Sequence, residues 1–341
     1  MIKLAIHNSK RGFHLAWIAY CEANCIPYKL VNCLSDDLIQ QLQDCHALLW
    51  HHSHMLPNDL IAAKPILAAL TQASFPIFPN LNTTWHFDDK LGQKYLLEVL
   101  GLPFVNTYLF YDASSAKAWA KKQPYPLVNK LRTGSGSKNV KLIQNYRTAK
   151  QIINKAFGKG FSNYNPIGSL KERIYQFKQG RVSWVTVLKG LLRFLYFPAY
   201  ARILGREKGY VLFQEFIPNN PSDIRIIVIG ERAFGITRWV RDHDFRASGS
   251  GDFSIDPNLI PLSCVQDAFE AYDKIKGQCI AFDFVMDGDL PKIIEISFGF
   301  DPKAFRPCPG YWQKDLSWVA THFIPEHWMV DDLIKQINAS K

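Results

Sequence analysis

The stretch CIAFDFVMDGDLPKIIEISFGF, residues 279–300, constrains the chain most. Two apolar runs flank the turn signal Asp287-Gly288-Asp289, and Pro291 is tolerated only at a strand edge, so the segment is predicted to fold as a β-hairpin. A connection of about five residues would set Asp283 opposite Glu295. Because side chains alternate along strands, Phe282, Phe284, Ile294 and Ile296 would then enter a core while both carboxylates share the other face. Ionised carboxylates on apolar strands lose hydration, and two side by side repel each other unless a cation lies between them. One reading is therefore a cation-binding pair. The other is one buried acid bonded to backbone and one acid solvated at an edge.

A chain of 341 residues can hold two or three domains with substantial cores, and 48% hydrophobic with 21% charged residues is the balance of a soluble globular protein. The net charge of +10 is local: residues 171–210 hold nine basic and two acidic residues. Met1 leads directly into an apolar alternation, so no secretory signal is expected. The charge-poor stretch 65–87 is broken by Pro76 and Pro79 and is not expected to span a membrane. Seven cysteines without CxxC spacing read as reduced thiols, and the expected location is the cytoplasm.

The first 80 residues alternate strand and helix: strands over 3–7, 28–31 and 47–50, helices over 13–24 and 36–43. That βαβαβ order predicts a Rossmann-like parallel sheet with ligands at the carboxyl ends of its strands. His46, His51, His52 and His54 fall at or near such an end. Without a carboxylate or Cys at helical spacing, they read as substrate-binding or ordinary loop histidines rather than metal ligands.

Asp88-Asp89-Lys90 precedes an amphipathic helix over 91–100 that Gly101 caps. A strand over 126–131 carries Lys130, and Thr133-Gly134-Ser135-Gly136-Ser137 follows before a return strand over 140–143. A lysine within a strand needs an anion nearby, and a glycine- and serine-rich loop can close backbone N–H groups over phosphate oxygens. The pattern is not a P-loop, because no Lys-Ser or Lys-Thr follows the glycines. Residues 181–204 interleave aromatic and aliphatic side chains with arginine and lysine. They read either as a membrane-interface or anion-gripping segment, or as a helical insertion packed on its own domain. No nucleic-acid reading motif is present.

From Tyr210 onward the parts occur in a specific order: QEFIP at 214–218, DIRIIVIG at 223–230, DFRAS at 244–248, then the AFDF and EIS ends of the hairpin. Together with DDK at 88–90 and NKLRTGSGSKNV at 129–140, the chain from about 87 to 300 resembles the ATP-grasp superfamily, and within it the carboxylate–amine ligases of the ribosomal S6 modification (glutamate ligase) type. The resemblance implies an α/β (α+β) ATP-grasp fold with an N-terminal Rossmann-like domain over 1–80. A central or lid subdomain would cover 81–212, including a basic aromatic insertion near 171–208, and a C-terminal subdomain 213–341. It implies an ATP-dependent ligase that forms an amide through an acyl phosphate, with ATP and Mg²⁺ as cofactors and Mn²⁺ as a substitute metal. Lys90, Lys130 and Ser135 would contact phosphates, the main chain at Glu215 and Phe216, flanked by Gln214 and Ile217, the adenine, and Asp223 the ribose. Arg225 and Arg246 would act on the reacting groups, Arg246 also touching phosphate. Asp283, Glu295 and Ser297 would hold the metal.

Two positions depart from the family pattern. Ser297 stands where the hairpin usually ends in Asn, with Asp301 able to compensate, and Asn139 stands where glycine is usual but tolerates positive φ. A weaker resemblance is to ATP-grasp ligases of bacterial surface-polysaccharide assembly, which implies a uronic acid carboxylate joined to an amino acid or amine. It also implies a peripheral contact with the inner face of the membrane through 181–204. Alternatives are an ATP-grasp kinase acting on a small polyanion and a nucleotide-binding pseudoenzyme.

Overall fold

In a computed structural model of the protein, every residue is described except 10, 135–138, 181, 241–243, 248–250 and 340–341, and the side chain of residue 172. The chain divides into two units, one comprising Met1–Phe87, Gly92–Val105 and Ile217–Lys341, the other Asp88–Leu91 and Asn106–Phe216.

In the first unit, the apolar runs of the N-terminal residues pair as a parallel sheet. Its order is Tyr28–Val31, Leu4–His7, Ala47–Leu49 and Ile77–Phe78. The last strand and the helix before it, Pro57–Gln72, were not expected. Pro65 within the sequence argues against a helix, yet Pro57 sits in the first turn and Ala63, Leu67 and Leu70 recur at helical spacing and are buried.

The same unit holds a seven-stranded sheet ordered Leu290–Ser297, Ile280–Asp287, Ser222–Ile229, Arg232–Trp239, Tyr311–Gln313 and Trp318–Val319, with Phe253–Ser254 beside Arg232–Trp239. The expected hairpin forms, but with a different connection. Asp287 pairs with Leu290, so only Gly288, at φ +61°, and Asp289 make the turn. That short turn by itself would put Ile294 opposite Asp283. A β-bulge between Asp283 and Phe284 shifts the register by one residue, and Glu295 arrives opposite Asp283 instead. The bulge also sends Ile293, rather than Ile294, into the core.

One face of this sheet buries Ile224, Ile226, Phe282, Phe284, Ile293 and Ile296 against the helix Leu262–Ile275 through Cys264, Val265, Ala268 and Phe269. Phe282 and Phe284 are wholly buried, and each contributes about 1.5–3 kcal/mol by leaving water. The other face, through Ile227, Ile229, Phe234 and Ile236, shares one apolar cluster with Leu4, Ile6, Phe13, Trp17 and Phe78 of the N-terminal residues and with Met329 and Leu333 of the helix Pro325–Ala339.

The second unit is built on a four-stranded antiparallel sheet, Thr107–Phe110, Val211–Glu215, Leu127–Lys130 and Val140–Ile143. Leu127, Leu131, Ile143, Val211 and Phe213 pack with Ala116 and Ala120 of the helix Ala113–Ala120 and with Ala149, Ile152 and Ile153 of the helix Tyr146–Phe157. The helices Pro166–Lys178, Trp184–Leu192 and Ala199–Leu204 follow, entered and left through the paired strands Phe161–Ser162 and Arg206–Glu207.

Candidate active site

In the first unit, strand alternation turns one sheet face from apolar to charged. Ile227, Ile229, Phe234, Ile236 and Ala281 lie in the core, and the residues that continue the same alternation are Arg225, Asp223, Arg238 and Asp283. Register sets Arg225 opposite Asp283, Asp223 opposite Arg238, and Glu295 opposite Asp283. The Arg225 guanidinium donates from Nε to Oδ1 of Asp283 at 2.6 Å and from Nη2 to Oδ2 at 2.7 Å. Arg238 donates to both oxygens of Asp223, at 2.5 and 2.8 Å, and its Nη2 lies 3.0 Å from Oδ2 of Asp283. Asp223, Arg238 and Asp283 are all buried. Bidentate pairs of this kind are the strong form of charge-assisted hydrogen bond.

Burial alone would raise the Asp283 carboxyl, but Arg225 and Arg238 outweigh it and hold the group well below the ordinary carboxylate range. For Asp223 burial wins: it pushes the group up, with Asp283 adding to the shift and Arg238 opposing it. The cation beside Asp283 is thus a pair of guanidinium groups. Asp283 accepts three of the roughly four hydrogen bonds a carboxylate can take. Among the described residues no group of three His, Cys, Asp or Glu could hold a metal ion. Mg²⁺ needs fewer protein ligands, because it is held by one or two carboxylates and completes its shell with substrate phosphates and water. The half-buried Glu295, together with the remaining acceptor capacity of Asp283, fits that requirement. Ser297 pairs across from Ala281 and its hydroxyl donates to the Gly299 carbonyl at 3.4 Å. Asp301 caps the helix Pro302–Phe305 by accepting from the Lys303 N–H at 3.1 Å. Arg246 forks onto Asp244 two residues earlier, at 2.6–3.0 Å.

In the second unit, Lys130, Leu212 and Gln214 lie on the sheet face opposite to the packed core, because Lys130 pairs with Leu212 and Gln214 with Val128. Lys130 is buried. Gln214 donates to Thr107 Oγ1 at 3.0 Å, and the Glu215 carboxylate accepts from Asn106 and from Tyr108, each at 3.0 Å. The Glu215 N–H donates to the Asn106 carbonyl at 3.0 Å, and Phe216, half-buried, ends this unit, with Ile217 beginning the next stretch of the first. Each residue of the DDK motif meets the base of the glycine loop. Asp88 accepts from the Gly134 N–H at 2.9 Å, Asp89 pairs with Arg132 at 2.5 Å, and Lys90 Nζ donates to the Gly134 carbonyl at 2.9 Å. Ser135 lies outside the described residues.

Two residues not singled out from sequence organise these sites. Arg238 bridges the two buried aspartates, and only strand register, which sequence periodicity does not supply, could have shown it. Glu207 accepts from the Arg132 N–H at 2.8 Å, the Thr133 N–H at 3.1 Å, the Thr133 hydroxyl at 2.5 Å and the Tyr210 hydroxyl, so four donors converge where the glycine loop begins. Asn163 flanks the clasp, its Oδ1 3.1 Å from Thr133 Oγ1, and its amide donates to the Gly205 carbonyl at 3.1 Å. An acidic residue within a segment of nine basic ones was the available signal.

The loop histidines serve different partners. His46 Nδ1 accepts from the Lys3 N–H, His51 Nδ1 accepts from the Phe13 N–H at 3.1 Å, His52 bonds Thr84, and His54 lies against Phe87. Burial pushes His51 and His52 down to about 3. A histidine held neutral in the fold but ordinary when unfolded adds stability that is complete above the unfolded value near 6.5 and is lost as the pH falls toward the folded one. Each of the two is expected to remove about 2 kcal/mol between about pH 6.5 and 5. Denaturant titrations across that range check this, and a flat stability profile would contradict it.

A parallel N-terminal sheet sharing its core with a large antiparallel sheet, and a separate antiparallel sheet carrying a lysine and a glycine loop, is an arrangement with known counterparts. Over 98% of this chain and 99% of the other, the structure matches a RimK domain ATP-grasp protein from Sphaerobacter thermophilus at a TM-score of 0.57 and 16% identity. The fold is ATP-grasp. The D-alanine–D-alanine ligase of Bacillus anthracis complexed with ATP matches over 100% of this chain and 99% of its own, at a TM-score of 0.57 and 11% identity. The macrocyclase MdnC of Microcystis aeruginosa, bound with precursor peptide MdnA, matches over 98% and 100% at a TM-score of 0.54 and 12% identity. No protein-family model matches the sequence. No curated protein matches it either. As expected from the sequence, an ATP-grasp fold thus joins a Rossmann-like parallel sheet to α+β parts.

Proposed function

We propose that the protein is an ATP-dependent carboxylate–amine ligase. The observation that carries this reading is the charged end of the seven-stranded sheet, where Glu295 stands beside an Asp283 already neutralised by two arginines. The reaction begins with attack of a substrate carboxylate oxygen on the γ-phosphorus of ATP, which breaks the bond to the bridging oxygen and releases ADP. An amine then attacks the acyl carbon, phosphate leaves with the bonding electrons, and the amine loses a proton. Magnesium, when bound, supplies charge neutralisation of the triphosphate.

In the ligase, the residues of the second unit receive the nucleotide. Lys130 and Lys90 lie beside the glycine loop as phosphate ligands, and the main chain at Glu215 and Phe216, between Gln214 and Ile217, meets the adenine. Glu207 keeps the start of that loop in place. In the first unit, Glu295 with Asp283 and Ser297 is the metal side. Arg225, held in orientation by Asp283, stabilises the developing oxyanion, as does Arg246. Asp223 is committed to Arg238 by a bidentate pair, so a ribose contact would compete with that pair.

For the carboxylate we propose a uronic acid of an anionic glycan and for the amine an amino acid or simple amine. The local basic excess of residues 171–210 supports an anionic acceptor. ADP release is expected to need a carboxylate and an amine together, glucuronate-containing glycans being compared with peptide carboxylates. Turnover without an amine would instead identify a kinase. Lys130→Ala is expected to weaken ATP binding about tenfold or more, consistent with loss of a charge-assisted contact. Unchanged affinity by calorimetry in the folded variant would remove Lys130 from the site.

A further inference from the structure

The helices between Phe161–Ser162 and Arg206–Glu207 leave most of their large apolar side chains exposed. Among the described residues, nearly half of the large exposed apolar side chains of the whole chain fall within 166–204. In the helix Trp184–Leu192, Trp184, Leu188, Leu191 and Leu192 recur at spacings of three and four, so they share a face, and they are 47–65% exposed. Leu195 and Tyr196 continue the apolar stretch at 76% and 73%.

The opposite side of this helix is its small side. Gly190 is buried, and a Cβ there would lie 2.8 Å from Cδ of Arg173. Arg173 in turn donates from Nη1 to the Thr186 carbonyl at 2.7 Å. The helix therefore turns a glycine and a threonine toward the helix Pro166–Lys178 and its tryptophan and leucines outward. That inverts the usual pattern of a surface helix, whose apolar stripe faces the core.

We propose that residues 166–204 form a docking surface for an anionic lipid bilayer. The charges decide the partner. Lys178, Lys189 and Arg202 are exposed among the apolar residues, and the only acid between 166 and 204 is residue 172. Tryptophan, tyrosine and leucine with lysine and arginine at the margin is the composition of helices that lie in the headgroup region, apolar side chains in the acyl boundary and cations at lipid phosphates. A soluble polyanion would satisfy the cations but offers no apolar phase. No described helix is long and apolar enough to cross a membrane, so the contact lies on the surface.

The test is flotation of the full chain with phosphatidylcholine vesicles prepared with and without phosphatidylglycerol, in the absence of ATP. Binding is expected with phosphatidylglycerol, reversed by salt, and weakened about fivefold by each of Lys178→Gln, Lys189→Gln and Arg202→Gln. The combined variant Trp184→Ser, Leu195→Ser, Tyr196→Ser is expected to stay in the pellet while keeping the parent's ATP affinity, which shows that it is folded. The proposal is overturned by absence of flotation at low salt, or by a triple variant that floats like the parent. It is equally overturned if the parent ignores vesicles but forms a dimer that the triple variant loses, which would make the patch a contact between two copies. Because neither ATP nor turnover enters the assay, these outcomes leave the ligase reading unaffected.

Discussion

Asp283→Ala is expected to destabilise the protein by about 3–5 kcal/mol in chemical denaturation, a loss typical of breaking a buried ion pair from one side. The carboxylate is buried and bonds both Arg225 and Arg238. Its removal leaves Arg225 without its bidentate partner and Arg238 with Asp223 alone, in a sheet whose other face is packed core. The pH dependence has a defined sign. A carboxylate whose folded value is depressed contributes stability present above its unfolded value near 4 and lost as the pH falls through the folded value. Asp223, pushed up by burial, works in the opposite direction, so the acid limb of the parent is shallower than Asp283 alone would give. A loss smaller than about 1 kcal/mol would mean that the arginines find water or other partners readily.

How much of this was legible in the sequence differs by layer. Alternation and turn chemistry located the hairpin, the βαβαβ start and the strands at 126–131 and 140–143 to within a residue or two, because those signals are local. The expected register rests on a loop of about five residues, whereas a two-residue turn and a bulge combine to give the same pairing. Bulges have no single-residue signature in an apolar run such as Ile293-Ile294, so only the sheet could show it. The helix Pro57–Gln72 carries Pro65 in its interior, a penalty that the packing of Ala63, Leu67 and Leu70 overrides.

The charge network was the least legible part. The sequence offered acids needing a cation, and a metal ion was the cation considered. The structure supplies two guanidinium groups from neighbouring strands, one of them Arg238, which strand register sets across from Asp223 and 3.0 Å from Asp283. Conversely, Asp88, Asp89 and Lys90 sit at a helix start in the sequence, yet all three grip one loop, because residues distant in sequence converge there.

Glu295→Gln, in contrast to the change at Asp283, is expected to leave the fold intact and to reduce ATP consumption by about 10²–10³-fold or more, the scale seen when one electrostatic contact to the reacting group is lost. Glu295 is half-buried, and the bidentate bond of Arg225 is made to Asp283. Glutamine preserves shape while removing the negative charge that a divalent cation needs. Equal denaturation midpoints with lost ADP release in saturating Mg²⁺ would place Glu295 in the chemistry, whereas parent-rate ATP consumption would make the whole charged row structural. Ser297→Asn is the companion change. A carboxamide oxygen is a better ligand for a hard cation than a hydroxyl, and among the described residues the Ser297 hydroxyl has only a long 3.4 Å bond to the Gly299 carbonyl to give up. Activity in Ser297→Asn is therefore expected to equal or exceed the parent's, with the Mg²⁺ concentration for half-maximal rate moving down. A rise in that concentration would show that position 297 does not face the metal.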